Sequence, residues 1–281
     1  MKFIKLLGVF VFSTLAVYAQ DFQGKAIYQS KFTLDMKLDS TRVSPAQQQQ
    51  IMDMMKRQME KTFELIFDKT TSIYKEEVKL EQEAGSFGGM MFIGGALNGR
   101  QFKDVKNKTY ARESELMGKN FLIKDSLTTY NWKMINESKL IGNYLCFKAE
   151  ATVKGSEMAM NFGRNQRNQS ENKEDKIETK EREIVIEAWY TPEIPVNNGP
   201  ADYWGLPGLI VEVKADRSTL SLVKVELNPK EKILIKVPEK GKVVTKKEYD
   251  EIVAAKMEEM RQNFDGGRQR GGEGHRIQIR M

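Results

Sequence analysis

The sequence predicts a mainly β protein of the α+β kind: a large curved antiparallel sheet or incomplete barrel, carrying one helix at about 44–61 and a C-terminal helix at about 246–264. Three observations lead there. Short runs rich in β-branched and aromatic residues recur at close spacing along most of the chain. Only two stretches show a helical apolar period behind a capping residue. A sheet with so many strands must also cover a face or curl on itself, because open edges invite aggregation. A β-sandwich satisfies the same pattern.

The first strand is expected over 24–35, with Ile27, Phe32 and Leu34 among its apolar positions. Ser44, Pro45 and Gln47 form a helix start, as N-cap, first helical residue and capping-box partner. Ile51, Met55, Met59 and Phe63 then recur every four residues. Alternation of Phe63, Leu65 and Phe67 marks a switch to strand near Thr62. Asp68 to Thr71 reads as a turn and 72–78 as the returning strand. The glycine-rich stretch 84–99 reads as a loop with an apolar centre, Met90 to Ile93. Strands are expected at 100–105, 108–113, 120–123 and 130–134, and a further one over 137–153, bent at Gly142. Residues 161–182 are poor in apolar groups and read as a polar insertion. The alternating run Glu183 to Ala188 leads into a proline-rich loop. Segments 209–213, 220–227 and 232–237 complete the strand series. In the last helix Thr245 is the N-cap and Glu248 its partner, and Tyr249, Ile252, Val253, Met257, Met260 and Phe264 share one face. Residues 265–281 read as a flexible tail.

Residues 1–19 resemble a secretory signal: Lys2 and Lys5, an apolar stretch from Leu6 to Val17, then Val17-Tyr18-Ala19 before the cleavage point. No cysteine follows, so a lipoprotein is not expected, and no later segment is long and apolar enough to span a membrane as a helix. The expected organisation is therefore a signal at 1–19, one β-rich domain over 20–264, and the tail. Loss of Lys2 and Lys5 lowers the formal charge from +6 to +4, with charges interspersed, so nucleic acid is not an expected partner. The single cysteine, Cys146, permits no intrachain disulfide and sits in the apolar run Tyr144 to Phe147, where a buried, inert thiol is expected.

Most catalytic chemistries lack their residues. The lone histidine, His275, lies in the glycine-rich tail, and one histidine with one cysteine cannot make a zinc cluster. No phosphate-binding glycine motif is present, and no cofactor is expected. Glu187, Glu193 and Asp202 lie near the proline-rich loop and could pair as acid and base for hydrolysis, but solvated surface is the stronger explanation in a chain that is 30% charged. Met52, Met55 and Met59 cluster on the first helix; thioethers there suit core packing, an apolar ligand or Cu(I).

The most distinctive passage runs from Trp189 to Ile210, WYTPEIPVNNGPADYWGLPGLI, with two of three tryptophans and four of seven prolines. Pro207 and Gly208 are expected at the centre of a tight turn, with glycine taking a positive φ, and Trp204 is expected to pack on the sheet. Tyr190, Tyr203, Trp204, Leu206, Pro207 and Gly208 are the binding or interface candidates, because aromatic residues on rigid loops serve as anchors; the aromatics Tyr190, Tyr203 and Trp204 fit equally a hydrophobic plug folded back onto the sheet. The run GLPGLI, behind a Trp-Tyr-Thr strand and an Ile-Pro…Gly-Pro loop, resembles the signature of the GLPGLI family of secreted Bacteroidetes proteins. The early GKAIYQSKF strand, Trp132 and KLIGNYLCFKA extend the resemblance over most of the chain. It implies a secreted or periplasmic protein, in a context often associated with outer-membrane TonB-dependent receptors, and carries over no catalytic residues. The expected function is a non-enzymatic cell-envelope binding protein for a protein partner or an apolar ligand. The alternatives are a lipid carrier, a carboxylate-dependent hydrolase and a periplasmic copper protein.

Overall fold

The computed structural model describes residues 22–33, 44–50, 53, 60–77, 99–156 and 181–270. The expected signal, glycine-rich loop, most of the polar insertion, His275 and the methionines Met52, Met55 and Met59 lie outside these residues.

Twelve strands form one sheet: β1 (Gln23–Phe32), β2 (Thr62–Asp68), β3 (Thr71–Glu76), β4 (Gln101–Asp104), β5 (Thr109–Leu116), β6 (Lys119–Ser126), β7 (Lys133–Ile141), β8 (Tyr144–Ser156), β9 (Glu181–Thr191), β10 (Leu209–Ala215), β11 (Ser218–Leu227) and β12 (Lys242–Val244). Their order is β12-β6-β5-β4-β3-β2-β1-β11-β10-β9-β8-β7, and the sheet is not closed. Every pairing is antiparallel except β12 on β6. A helical stretch, α1 (45–50), and a C-terminal helix, α2 (Lys246–Arg270), complete the described elements.

One connection forces the sheet to curl. β6 and β7 stand ten strand spacings apart, which in a flat sheet is about 48 Å. Residues 127–132 join them, and the seven links from Ser126 to Lys133 reach at most about 25 Å. The two ends of the sheet must therefore approach each other, giving the incomplete barrel that the sequence predicts. Tyr28 of β1 confirms the concavity: its hydroxyl donates to the Ile210 carbonyl of β10, across the intervening β11, at 2.6 Å.

The turns follow from their residues. Asp68 accepts the amides of Thr70 and Thr71 at 2.7 and 2.6 Å and closes the β2–β3 hairpin as expected. Met117 and Gly118 both have positive φ, 51° and 74°, the requirement of a two-residue hairpin between β5 and β6. Gly142 (φ 60°) begins a true reversal. The expected single bent strand over 137–153 is instead two strands of a hairpin, β7 and β8, with Ile141 opposite Tyr144. The expected strand at 130–134 begins only at Lys133, because 127–132 is spent crossing between the sheet's ends.

A second correction concerns 232–237, which is not a strand. The segment from β11 to β12 has to cross from one side of β1 to the edge beyond β6, so it runs over strands rather than beside one. Gln23 holds it by exchanging two hydrogen bonds with the backbone of Ile233, at 2.7 and 2.8 Å. Ile233 and Ile235 are half-buried while Leu234 is exposed, so the alternation that suggests a strand reflects face-on contact. The short β12 that follows has no counterpart in the sequence reading.

Both helix caps form as expected. Ser44 and Gln47 exchange backbone and side-chain bonds, and so do Thr245 and Glu248, whose carboxylate accepts the Thr245 amide at 2.7 Å. α2 runs past the expected end at 264 to Arg270. It lays Tyr249, Ile252 and Val253 against Leu116, Phe121 and Ile123 of β5 and β6.

Cys146 is fully buried against Trp189 and Val211, and burial pushes its thiol up to about 11. The native protein is therefore expected to leave Ellman's reagent unreacted at pH 8, and to titrate one thiol once unfolded in guanidinium; a fast native reaction contradicts the packing.

Candidate functional site

The Trp189–Ile210 passage ends β9, makes an excursion of 17 residues over 192–208, and begins β10. The excursion does not stand out from the molecule; it fills the concavity. Ile194 and Val196 pack with Ala26, Tyr28, Leu65, Phe67 and Tyr74 of β1–β3. Leu206 packs with Ala149, Ile186, Ala188 and Tyr190 of β8 and β9. One loop thus supplies the centre of the core to both halves of the rolled sheet.

Its polar groups are held from several directions. Pro200 accepts the Tyr203 amide at 3.1 Å, closing a turn with Ala201 in the left-handed region (φ 48°). β4 grips that turn with two side chains on one face. Lys103, fully buried, donates to the carbonyls of Gly199 at 2.6 Å and Tyr203 at 3.2 Å. Gln101 donates to Asp202 at 2.6 Å. Ser72 of β3 donates to Asn198, which also accepts the Gly199 amide at 2.9 Å. Asn198 Nδ2 is buried without a partner among the described residues. From the open side, the crossing segment 127–132 clasps the loop through two indoles: Trp204 donates to the Thr128 carbonyl at 2.7 Å, and Trp132 donates to the Trp204 carbonyl at 2.9 Å. Tyr130 lies against the rings of Trp132 and Tyr203, with centroids 5.2 and 5.7 Å apart.

Electrostatics follow burial. Desolvation lowers Lys103 from its ordinary 10.5 to about 7, opposed by the charge of Asp202. A lysine tuned this far is a catalytic candidate by its titration. Its surroundings assign another role: it has no exposure, and its hydrogen-bond partners are backbone carbonyls of the interior loop. It acts as a peg. Burial likewise raises Tyr203, to about 12, and raises Tyr130 further.

The structure separates the sequence-derived candidates. Trp204 is buried, 7 % exposed, and its described contacts are with the crossing segment, through Thr128 and Trp132, and with Asn198 of its own loop. Tyr190, Leu206 and Gly208 are also buried, Tyr203 is half-buried, and Pro207 is exposed. As a set these six build the interior rather than a surface. The reason for Gly208 changes too. The Leu206 carbonyl accepts the Gly208 amide at 2.8 Å, a three-residue turn centred on Pro207. The positive φ belongs to Gly205, at 99°, and not to Gly208. Gly208 is needed because a Cβ there would lie 2.1 Å from the Thr191 carbonyl oxygen, where β9 meets β10. The carboxylates are dispersed in their contacts: Glu187 binds Trp189 and Lys148, Glu193 binds the Leu145 amide, and Asp202 binds Gln101. Among the described residues no cluster of three metal-ligating His, Cys, Asp or Glu side chains occurs.

Lys103, Gln101, Ser72 and Asn198 escape the sequence reading. A lysine in a strand ordinarily faces water, and nothing local in Gln101-Phe102-Lys103 marks the polar side as the inward one.

Two outcomes follow from this geometry. Gly208→Ala should cost more than about 2 kcal/mol in denaturant unfolding, and Trp204→Ala about 3–5 kcal/mol; values within about 0.5 kcal/mol of the parent contradict the packing. The second concerns pH. Between about 7 and 10.5 the unfolded chain binds a proton at Lys103 that the native state does not, so this group makes stability rise with pH in that window. Between pH 7 and 9, the parent should gain about 2 kcal/mol relative to Lys103→Met. Parallel pH profiles for the two proteins would show that Lys103 is not held as described.

Residues 132–212 match a family described as "Protein of unknown function (Porph_ging)". The match opens at Trp132 and closes in β10, so it encloses β7–β9, the interior loop and the start of β10. A search of the curated proteins finds no match. Among solved structures, one described as "Structure of PNGF-II in C2 space group" is similar at 14% identity and TM-score 0.48, covering 83% of this chain and 32% of that one. A second, "Structure of PNGF-II in P21 space group", gives 14% and 0.47, covering 82% and 33%. The chain thus spans about a third of the length of these structures. What this chain shares with the Porph_ging family is the stretch that carries its interior loop.

Proposed function

We propose that this is a non-enzymatic binding protein of the bacterial cell envelope, exported by residues 1–19, of the GLPGLI kind, and working with a protein partner such as an outer-membrane receptor component. The observation that carries the reading is the filled interior. The space in which a carrier would hold its ligand is occupied by Ile194, Val196, Trp204 and Leu206 of the chain itself. That favours a protein partner on the outside over an apolar ligand within. The scattered contacts of Glu187, Glu193 and Asp202 give a hydrolase no paired carboxylates, and the copper reading rests on methionines outside the described residues.

The outside offers one apolar edge. Among the described residues β7 ends the sheet, and one side of its backbone meets no strand. At the tip of the β7–β8 hairpin Leu140 and Leu145 stand directly opposite each other, 72 % and 43 % exposed, with Met134 exposed farther along. An extended segment of a partner adding to β7 gains main-chain bonds from the edge and apolar contact from the leucines. Envelope extracts passed over the immobilised protein should yield a specific partner, and Leu140→Asp with Leu145→Asp should weaken its capture about thirtyfold, as expected for a hot spot. Both side chains are exposed, so the variant keeps its unfolding midpoint. Identical recovery by parent and variant sinks the edge; recovery of co-purified lipid and no protein sinks the reading.

A further inference from the structure

The opposite edge of the sheet carries a second, independent surface. Among the described residues β12 is the last strand on that side and pairs only with β6. α2 starts immediately after it, capped by Thr245. Between strand and helix lies an open groove of about 400 Å³, lined by Lys242, Val243, Val244, Glu248, Glu251 and Ile252. A free strand edge with a helix beside it is the arrangement into which extended peptides add as an extra strand. Its lip is acidic on the helix side, through Glu248 and Glu251, and Val243 is 59 % exposed beside it.

The chain itself contains a segment of matching chemistry. Residues Arg276 to Met281 read RIQIRM: Ile277, Ile279 and Met281 alternate with Arg276, Gln278 and Arg280, the period of a strand with one apolar and one basic side. The same copy cannot deliver it. α2 carries the chain away from the groove at about 1.5 Å per residue, so Arg270 lies about 28 Å from Glu251 and about 27 Å from Ile252. Six links from Arg270 to Arg276, fully extended, reach about 21 Å, and seven links to Ile277 about 25 Å. Its own tail therefore cannot set Arg276 at Glu251 and Ile277 at Ile252.

We propose that the groove between β12 and α2 receives the Arg276–Met281 segment of a second copy of this chain, added as a strand to β12. Main-chain bonds to the β12 edge supply its register, Ile277 and Ile279 supply apolar contact with Ile252 and the strand, and Arg276 and Arg280 pair with Glu251 and Glu248.

Sedimentation of the full mature chain tests this. Self-association is expected at micromolar concentration and should weaken with salt, since the paired charges lie at the surface. Glu251→Arg alone, and Arg276→Glu alone, should each weaken it at least tenfold. Placing both changes in one chain should restore it, because the charges of that pair are then exchanged. Ile277→Asp with Ile279→Asp should abolish it. Glu251 is exposed, so its replacement keeps the parent's unfolding midpoint, and the midpoint of each tail variant is measured alongside. A monomer at about 100 μM, association indifferent to these changes, or failure of the charge exchange to restore it would each overturn the proposal.

Discussion

The whole structure depends on the interior loop being held inside a sheet that its own connectivity has rolled. Rolling creates a concave space lined by Tyr28, Leu65, Phe67, Tyr74 and the small residues Ala149 and Ala188. Left empty, that space would cost stability in proportion to its volume. The loop between β9 and β10 fills it with Ile194, Val196, Trp204 and Leu206. A loop in an apolar interior must also satisfy its backbone, and here side chains do so. Lys103 takes the carbonyls of Gly199 and Tyr203, Trp132 takes that of Trp204, and Asn198 takes the amide of Gly199. Burying a lysine is unfavourable, as its lowered titration shows. Its removal leaves two carbonyls unpaired, so the peg persists.

Under the proposed binding role, the same arrangement moves recognition outward. A rigid aromatic loop ordinarily suggests an anchor for a partner. Here the aromatic groups are consumed in holding the loop to the crossing segment: Trp204 and Trp132 bond between the two, and Tyr130 and Tyr203 lie against each other beside them. For the proposed role, the surfaces left are the two edges of the open sheet. β12 is only three residues long, and β7 carries a register shift between Ile135 and Ser138, both devices that limit indiscriminate pairing. Edges so guarded suit selective strand addition.

Much of the fold was legible in the sequence. Both capping boxes, the Asp68 turn and the switch at Thr62 are local, and each residue there acts through neighbours two or three positions away. The errors arise where the decisive partner is remote. Ile233 and Ile235 alternate as in a strand, but the face they cover belongs to strands far earlier in the chain. Gly142 signals a bend equally well as a reversal; only the pairing of β7 with β8 distinguishes them. Gly208 was assigned to a turn for its φ, whereas the constraint is the Thr191 carbonyl across the β9–β10 junction. Lys103 was invisible for the same reason: its acceptors lie about a hundred residues away.

Native-state hydrogen exchange measures the central claim most directly. The amides of Val196, Leu209 and Ile210 donate to Ile194, Ile194 and Asn198 at 2.8, 2.9 and 3.0 Å, within or at the end of the interior loop. If the loop is the centre of the core, these amides open only with global unfolding, with the same free energy as those of β1 and β2. Exchange of the loop amides through a separate, low-energy opening while β1 and β2 stay protected would show instead that the loop is a mobile element resting on a sheet that holds without it.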